Sequence, residues 1–183
     1  MQMPRYAYLV VILGIIVWFT PFISVHRKTR PPSTVDRRSR WGVLLQLAGY
    51  SLLWQGHFWL RPLPLWRTCS SILLFAVAAL LSWTSARALA GHMRVDAALG
   101  SEHHLVKSGP YSFVRNPIHT SMLLVLCATA VIVASWQLFL ISLLLFVIGT
   151  EIRVRIEENL LAARFAGEFE DYKRSVGAYV PFL

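Results

Sequence analysis

The sequence predicts an all-α integral membrane protein with about five transmembrane helices, an N-terminus outside and an amphipathic C-terminal helix in the cytoplasm. Hydrophobic residues make up 56% of the 183-residue chain, more than a soluble domain of this length ordinarily carries. They are concentrated in five stretches, roughly 6–25, 41–60, 66–87, 118–134 and 136–152. A spanning helix needs about 20 apolar residues, so the first three stretches are long enough, and the last two form a tight hairpin that turns at Ser135.

Basic residues give the expected orientation. The formal net charge is +9, and one loop after the first stretch carries a dense group of cations: Arg27, Lys28, Arg30, Arg37, Arg38 and Arg40. The loop near Arg61 and Arg67 and the turn at Ser135 carry little charge. The positive-inside rule therefore places residues 26–40, 88–117 and 153–183 in the cytoplasm. The basic loop is also expected to contact anionic lipid head groups, and in this setting its charge does not indicate nucleic-acid binding.

The second stretch is expected to pack closely against a neighbouring helix. Gly42, Gly49 and Gly56 recur every seven residues, which keeps them on one helix face, and small residues let helices approach closely in lipid. The same stretch carries three polar side chains, which either line a substrate path or, as we favour, make interhelical hydrogen bonds or lie at the membrane edge: Gln46, Tyr50 and His57.

The chain is expected to form one domain over residues 1–183, with three spans in residues 1–90. The first stretch is predicted to be an uncleaved span, because no small-x-small cleavage site follows Pro21. Residues 91–183 then hold a cytoplasmic connector, the helical hairpin and the tail. Pro117 fits the first turn of the fourth helix, where a missing N–H costs little. The fifth helix is expected to continue into water past residue 152, and the tail from Glu168 onward is amphipathic.

Polar residues occur at the edge of the apolar region at two separate points, 109–117 and 153–158. Charged groups are rare at such places, so the pattern indicates a site that faces both water and lipid. Arg153 and Glu157 are four residues apart and share a helix face. They form either a simple surface ion pair or a site in which the arginine holds an anionic head group and the carboxylate accepts hydrogen bonds from a cofactor.

Several other kinds of site are not supported. No metal site is expected, because no His-x-x-x-His or Cys-x-x-Cys pair supports one among the four histidines near the connector: His92, His103, His104 and His119. Cys69 and Cys127 fall inside apolar stretches and are interpreted as small core residues. The sequence has neither a Gly-x-Gly-x-x-Gly motif nor a P-loop, which excludes a soluble-type nucleotide fold.

The C-terminal half resembles the isoprenylcysteine carboxyl methyltransferase family and the broader group that includes the phospholipid N-methyltransferases. The resemblance covers residues 95–183 and depends on motifs that agree in order and spacing. These are His103-x-Leu105-Val106-x-x-Gly109-x-Tyr111-x-x-x-Arg115-x-Pro117, then Arg153-x-x-x-Glu157-Glu158-x-x-Leu161-x-x-x-Phe165, then Tyr172-Lys173-x-x-Val176 and Pro181-Phe182. The first three stretches match only in being apolar.

The resemblance implies an S-adenosylmethionine-dependent membrane methyltransferase whose lipophilic or prenylated substrate enters sideways from the bilayer. It implies that Arg153 faces the substrate carboxylate, and we expect Arg153 and Glu158 to take part in catalysis. By the same similarity, one group of residues lines the cofactor: His103, His104, Leu105, Val106, Tyr111, Arg115, Asn116, Pro117, Ile118, His119 and Glu157. Asn116 stands where the family has histidine and His119 where it has tyrosine. An Asn-Pro pair also resembles the phospholipid-methylating branch.

Alternative functions stay open at this point. A carboxylate acceptor is ionised at neutral pH and needs no base, whereas an amine acceptor would need one, and Glu158 or His119 are candidates. The acceptor is thus a prenylcysteine carboxylate, a phospholipid or another small molecule. Membrane sterol-type reductases have a broadly similar C-terminal half and use NADPH, and a non-catalytic membrane protein is a further alternative. The membrane is either a bacterial inner membrane or the endoplasmic reticulum.

Overall fold

The computed structural model describes residues 4–26, 37–56, 63–89 and 105–179. The helices in these ranges are α1 (Arg5–His26), α2 (Ser39–Leu52), α3 (Leu65–Ala88), α4 (Pro117–Val133) and α5 (Trp136–Ser175). Short 3₁₀ turns follow α2 (Leu53–Gln55) and precede α4 (Gly109–Ser112). No strand occurs in the described ranges, apart from one isolated parallel bridge between Val114 and Gly177. The all-α prediction is therefore confirmed for this part of the chain.

Three of the described helices are long and apolar enough to cross a membrane, namely α1, α3 and α5. α4 is also apolar but has only 17 residues, and α2 has 14. The structure thus fits a membrane protein, while the number of five spans and the orientation stay predictions. His57, Arg61 and the cations Arg27, Lys28 and Arg30 lie outside the described residues.

The helices pack in two groups that share one core. α3 lies between α1 and α4, whereas α2 lies along α5. Fully buried apolar side chains at the centre come from both groups: Val11, Leu53, Phe75, Leu126 and Phe146. Most of the other large apolar side chains of α1 and of the first half of α5 are exposed, as expected for helices whose outer faces meet lipid.

The prediction that α2 uses its glycines to approach another helix is confirmed, and the neighbour is α5. A Cβ atom added at Gly42 would lie 2.5 Å from the carbonyl oxygen of Gly149. One added at Gly49 would lie 2.8 Å from the carbonyl oxygen of Ser142, and one at Gly56 would lie 3.1 Å from Leu138. The two backbones are therefore too close for any side chain larger than hydrogen at Gly42 and Gly49.

Replacing Gly49 with alanine should destabilise the α2–α5 pair, because the new methyl group collides with backbone that cannot move alone. We expect a loss of about 1–3 kcal/mol, the usual range for overpacking. Thermal unfolding of the detergent-solubilised protein measures it. Gly167→Ala is the matched control, since a Cβ there meets nothing within 4 Å. Equal stability of the two variants would contradict the close approach.

α5 continues well past the apolar stretch, as predicted, and is interrupted at Ala166. The backbone of Ala166 has φ 39° and ψ −119°, so the chain changes direction there before the helix resumes. Phe169 and Tyr172 are 2% and 6% exposed. Two apolar side chains of the amphipathic tail are therefore packed onto the protein itself.

Candidate functional site

Arg153 of α5 points into the interface with α2. Its Nη1 donates to Oε1 of Gln46 at 3.1 Å, and its Nη2 lies 3.6 Å from Oε1 of Glu157 one turn further along the helix. The Arg153 and Glu157 side chains are only 14% and 28% exposed. The Arg153–Glu157 pair is therefore not a solvated surface ion pair, which excludes the first of the two interpretations that the sequence left open. The roles of the two residues toward a head group and a cofactor stay predictions.

Gln46 and Tyr50 make interhelical hydrogen bonds, as we favoured from the sequence. The amide nitrogen of Gln46 donates to Oγ1 of Thr150 at 2.8 Å, and the Tyr50 hydroxyl donates to the carbonyl oxygen of Met122 at 2.6 Å. Gln46 is 2% exposed. These bonds connect α2 to both α4 and α5.

His119, Arg153 and Glu157 form a buried polar cluster. Two buried polar atoms in this cluster have no hydrogen-bond partner among the described residues. They are Nε2 of His119 and Nε of Arg153. His119 is the third residue of α4 and is 6% exposed. It lies close enough to Arg153 to interact with it electrostatically. Leaving such an atom unpaired costs about 1–3 kcal/mol, so each of the two atoms is open to a water molecule or to a polar group of a ligand.

The loop before α4 is held by the chain that follows α5. The Arg115 amide donates to the carbonyl oxygen of Gly177 at 2.8 Å, and its Nε donates to that of Val176 at 2.9 Å. Asn116 donates to Ala178 twice, from its backbone nitrogen at 3.1 Å and from its side-chain Nδ2 at 3.2 Å. The asparagine that stands where the family has histidine thus uses its amide to hold the C-terminal segment.

Glu158 occupies the centre of an ion cluster beneath this loop. One carboxylate oxygen bonds Nη1 of Arg115, and the other lies 3.1 Å from Nζ of Lys173. The Arg115 and Glu158 side chains are 11% and 15% exposed. Glu158 therefore joins the loop, α5 and the tail, and its carboxylate is already engaged on both sides.

Two tyrosines make further hydrogen bonds between the chain after the bend at Ala166 and the rest of this site. The Tyr172 hydroxyl donates to the carbonyl oxygen of Tyr111 at 2.6 Å, and the Tyr179 hydroxyl donates to Oε2 of Glu151 at 2.9 Å. Burial raises the pKa of the Tyr172 phenol to about 12. Its proton therefore stays in place at physiological pH, and the bond to the loop persists.

The structure brings together most of the residues expected from the sequence. Arg115, Asn116, Pro117 and His119 lie along one short path that meets Arg153, Glu157 and Glu158 of α5. Four further residues of the predicted set are half-buried: Leu105, Val106, Tyr111 and Ile118. His103, His104, Pro181 and Phe182 lie outside the described residues. The roles of these residues toward a cofactor stay predictions.

The list of site residues predicted from the sequence omitted four that the structure adds. Gln46 accepts from Arg153 and donates to Thr150. Lys173 pairs with Glu158, and Tyr172 donates to the loop at Tyr111. Polar residues inside apolar stretches were a usable signal for Gln46 and Thr150. No metal-ligand group of three or more His, Cys, Asp or Glu side chains occurs in the ranges that the structure describes.

Comparison with known proteins matches the same part of the chain. A model of the phospholipid methyltransferase family matches residues 66–168. The protein-S-isoprenylcysteine O-methyltransferase of Tribolium castaneum is 31% identical over 100 residues, which cover 49% of this chain and 32% of that protein. The protein of the same name from Saccharomyces cerevisiae is 33% identical over 94 residues, which cover 45% and 35%. The matched region thus spans about a third of the length of these relatives, and it confirms the resemblance found in the motifs.

Proposed function

We propose that this chain, which belongs to the phospholipid methyltransferase family, transfers a methyl group from S-adenosylmethionine to a lipophilic acceptor at the membrane. Its activity would be most like that of a protein-S-isoprenylcysteine O-methyltransferase, the name that both relatives carry. The observation that carries the proposal is the buried polar cluster of His119, Arg153 and Glu157, which lies within the matched residues. It contains two polar atoms that have no partner in the part of the chain that the structure describes.

The cluster fits a cofactor and a polar acceptor group lying side by side. S-adenosylmethionine brings a methyl group that its sulfonium already activates. Glu157 would accept hydrogen bonds from the cofactor, as the resemblance implies, and Arg153 would hold the acceptor's head group. Since the donor is activated, positioning can supply most of the acceleration, up to about 7–11 kcal/mol in favourable cases.

The geometry separates the two candidate bases. Glu158 has both carboxylate oxygens engaged by Arg115 and Lys173, which suits a positioning role. His119 keeps a buried ring nitrogen without a partner among the described residues. His119 thus has a ring nitrogen open to an amine acceptor, but burial beside the Arg153 guanidinium opposes charging of the ring, whereas a carboxylate acceptor needs no base.

The site would face the cytoplasm. Gly42 lies against Arg153, and the basic residues Arg37, Arg38 and Arg40 come just before Gly42 at the same end of α2. Because cationic flanks favour the cytoplasmic side, the site and its basic neighbours share that side. A cofactor dissolved in the cytoplasm could then reach the cluster, and the acceptor would arrive between helices.

Binding of S-adenosylmethionine to the purified, detergent-solubilised protein tests the proposal. We expect saturable binding of S-adenosylmethionine and none of NADPH. Glu157→Ala should weaken binding about tenfold or more, the effect of losing a hydrogen bond to a charged group. Glu170→Ala is the control, because Glu170 is exposed on the same helix after the bend. Binding of NADPH alone by the folded protein would favour a reductase, and binding of neither compound would favour a non-catalytic protein.

A further inference from the structure

The orientation of Arg153 is set by α2, which lies outside the region matched by the family. The match begins at residue 66, whereas α2 ends at Leu52. Two residues of α2, one helical turn apart, contact Arg153 at different points of its side chain. They are Gly42 at the stem and Gln46 at the guanidinium.

Gly42 makes room for the stem of Arg153. A Cβ atom at position 42 would lie 2.5 Å from Cγ of Arg153 and 3.3 Å from its Cδ. Only glycine therefore lets the methylene chain of the arginine lie flat against α2. With the stem fixed in this way, the guanidinium has few positions left to occupy.

Gln46 fixes the guanidinium itself. A guanidinium only donates hydrogen bonds, so the amide oxygen of Gln46 must face Arg153 and its NH₂ group must face another acceptor. Thr150 is that acceptor, at 2.8 Å, and it lies three residues before Arg153 on α5. Thr150, Gln46 and Arg153 thus form a chain of hydrogen bonds in which each side chain sets the next.

The neutral carboxamide has an electrostatic consequence. A carboxylate at position 46 would pair with Arg153 and cancel its charge, whereas Gln46 holds the guanidinium without neutralising it. Nη1 is engaged by Gln46, while Nε has no partner among the described residues. The arginine is therefore oriented by a neutral group, Glu157 alone pairs with its charge among the described residues, and the Nε donor stays available.

We infer that Gly42 and Gln46 are positioning residues that orient the Arg153 guanidinium toward an anionic head group of the methyl acceptor, so that α2 helps to select the acceptor. The inference rests on the proposed function, since it takes the acceptor site to be at Arg153. It assigns acceptor recognition partly to a helix beyond the family match, and it predicts that changes in α2 alter acceptor use without altering cofactor binding.

The test uses N-acetyl-S-farnesylcysteine, a prenylcysteine carboxylate, as the acceptor probe with the full chain in detergent. For Gln46→Ala we expect KM for the probe to rise about tenfold, as for the loss of one hydrogen bond to a charged group. We expect kcat and the Kd for S-adenosylmethionine to change by less than about threefold, because uniform acceptor binding is what is lost. Thr150→Val should raise KM as well, and Thr150→Ser, which keeps the hydroxyl, should raise it less.

A second readout follows Arg153 directly. Phenylglyoxal modifies accessible arginines, and mass spectrometry of the peptide that contains Arg153 gives the rate. Freeing the guanidinium in Gln46→Ala should speed this labelling severalfold. Gln55→Ala is the matched control, because Gln55 is exposed and its amide donates to the Ser51 carbonyl oxygen at 3.4 Å, away from Arg153.

The outcomes separate the inference from the proposed function. The inference is overturned if Gln46→Ala matches Gln55→Ala in both KM and labelling. It is also overturned if Gln46→Ala raises the Kd for S-adenosylmethionine as much as the KM for the probe. If the folded wild-type protein binds no S-adenosylmethionine, the proposed function fails instead, and the labelling rate alone then decides whether Gln46 orients Arg153.

Discussion

Replacing Arg153 with alanine is expected to lower kcat/KM for methyl transfer by about 100-fold or more, the usual result of truncating one partner of a buried charged pair. The physical reason is that its guanidinium is the cation held in the buried cluster, with Gln46 and Glu157 arranged around it. Binding of S-adenosylmethionine should change by less than about threefold, since Arg153 is proposed to hold the acceptor. Steady-state kinetics with N-acetyl-S-farnesylcysteine and cofactor titration measure the two effects separately.

Arg155→Ala is the matched control for this prediction. Arg155 lies two residues further along α5, its side chain is 75% exposed, and it pairs only with Glu151 at 2.8 Å among the described residues. Its removal should change kcat/KM by less than about threefold, because an exposed ion pair contributes little. Arg153→Lys keeps the charge without the planar guanidinium, so its kcat/KM should lie between those of Arg153→Ala and Arg155→Ala. Full activity of Arg153→Ala would refute the assignment of the acceptor site.

Replacing Glu158 with glutamine should cost about 3 kcal/mol of folding free energy, because it leaves two cations facing each other without their common anion. Arg115 and Lys173 both pair with this one carboxylate, and the Arg115 and Glu158 side chains are largely buried. For a chain of this size we expect the unfolding temperature to fall by about 5–10 °C. The loop should also separate from the tail, so cofactor affinity should fall with stability.

Limited digestion with trypsin reports the local part of this effect. Lys173 and Arg174 are exposed cleavage sites at the ion cluster of Arg115, Glu158 and Lys173. The Glu158→Gln variant should be cut there faster than the wild type. Asp171→Asn is the control: its ion pair with Arg174 is 3.9 Å long, and both side chains are 80% exposed. That change should cost less than about 0.5 kcal/mol. Unchanged cleavage and stability in Glu158→Gln would show that this ion cluster contributes nothing to the folding free energy.

The sequence predicted features that depend on one helix at a time. The seven-residue spacing of Gly42 and Gly49 was enough to predict a close helix contact, and the charged residues after 152 were enough to predict that α5 continues. Which helix α2 would meet could not be predicted, because spacing fixes a face and not its neighbour. The bond between Gln46 and Arg153 joins residues 107 positions apart and depends on that pairing.

Several candidate site residues could be placed in one region from the sequence, whereas the contacts that they make could not. The order of the motifs placed Arg115 and Glu158 in one region, and the structure confirms that they meet. Their ion pair could not be foreseen, because both the loop and the tail must fold before the two side chains approach. Glu158 was a candidate base from the sequence, yet Lys173 and Arg115 both engage its carboxylate.

The parallel bridge between Val114 and Gly177 has a consequence for the order of events during synthesis of the protein. Chains are made from the N-terminus, so α3 and α4 can insert and pack while residues 176–179 do not yet exist. The loop between α3 and α4 cannot gain its bonds to Gly177 and Ala178 until that later segment has been made and has turned back at Ala166. The candidate site beside this loop is therefore expected to take shape only after α3 and α4 have packed together.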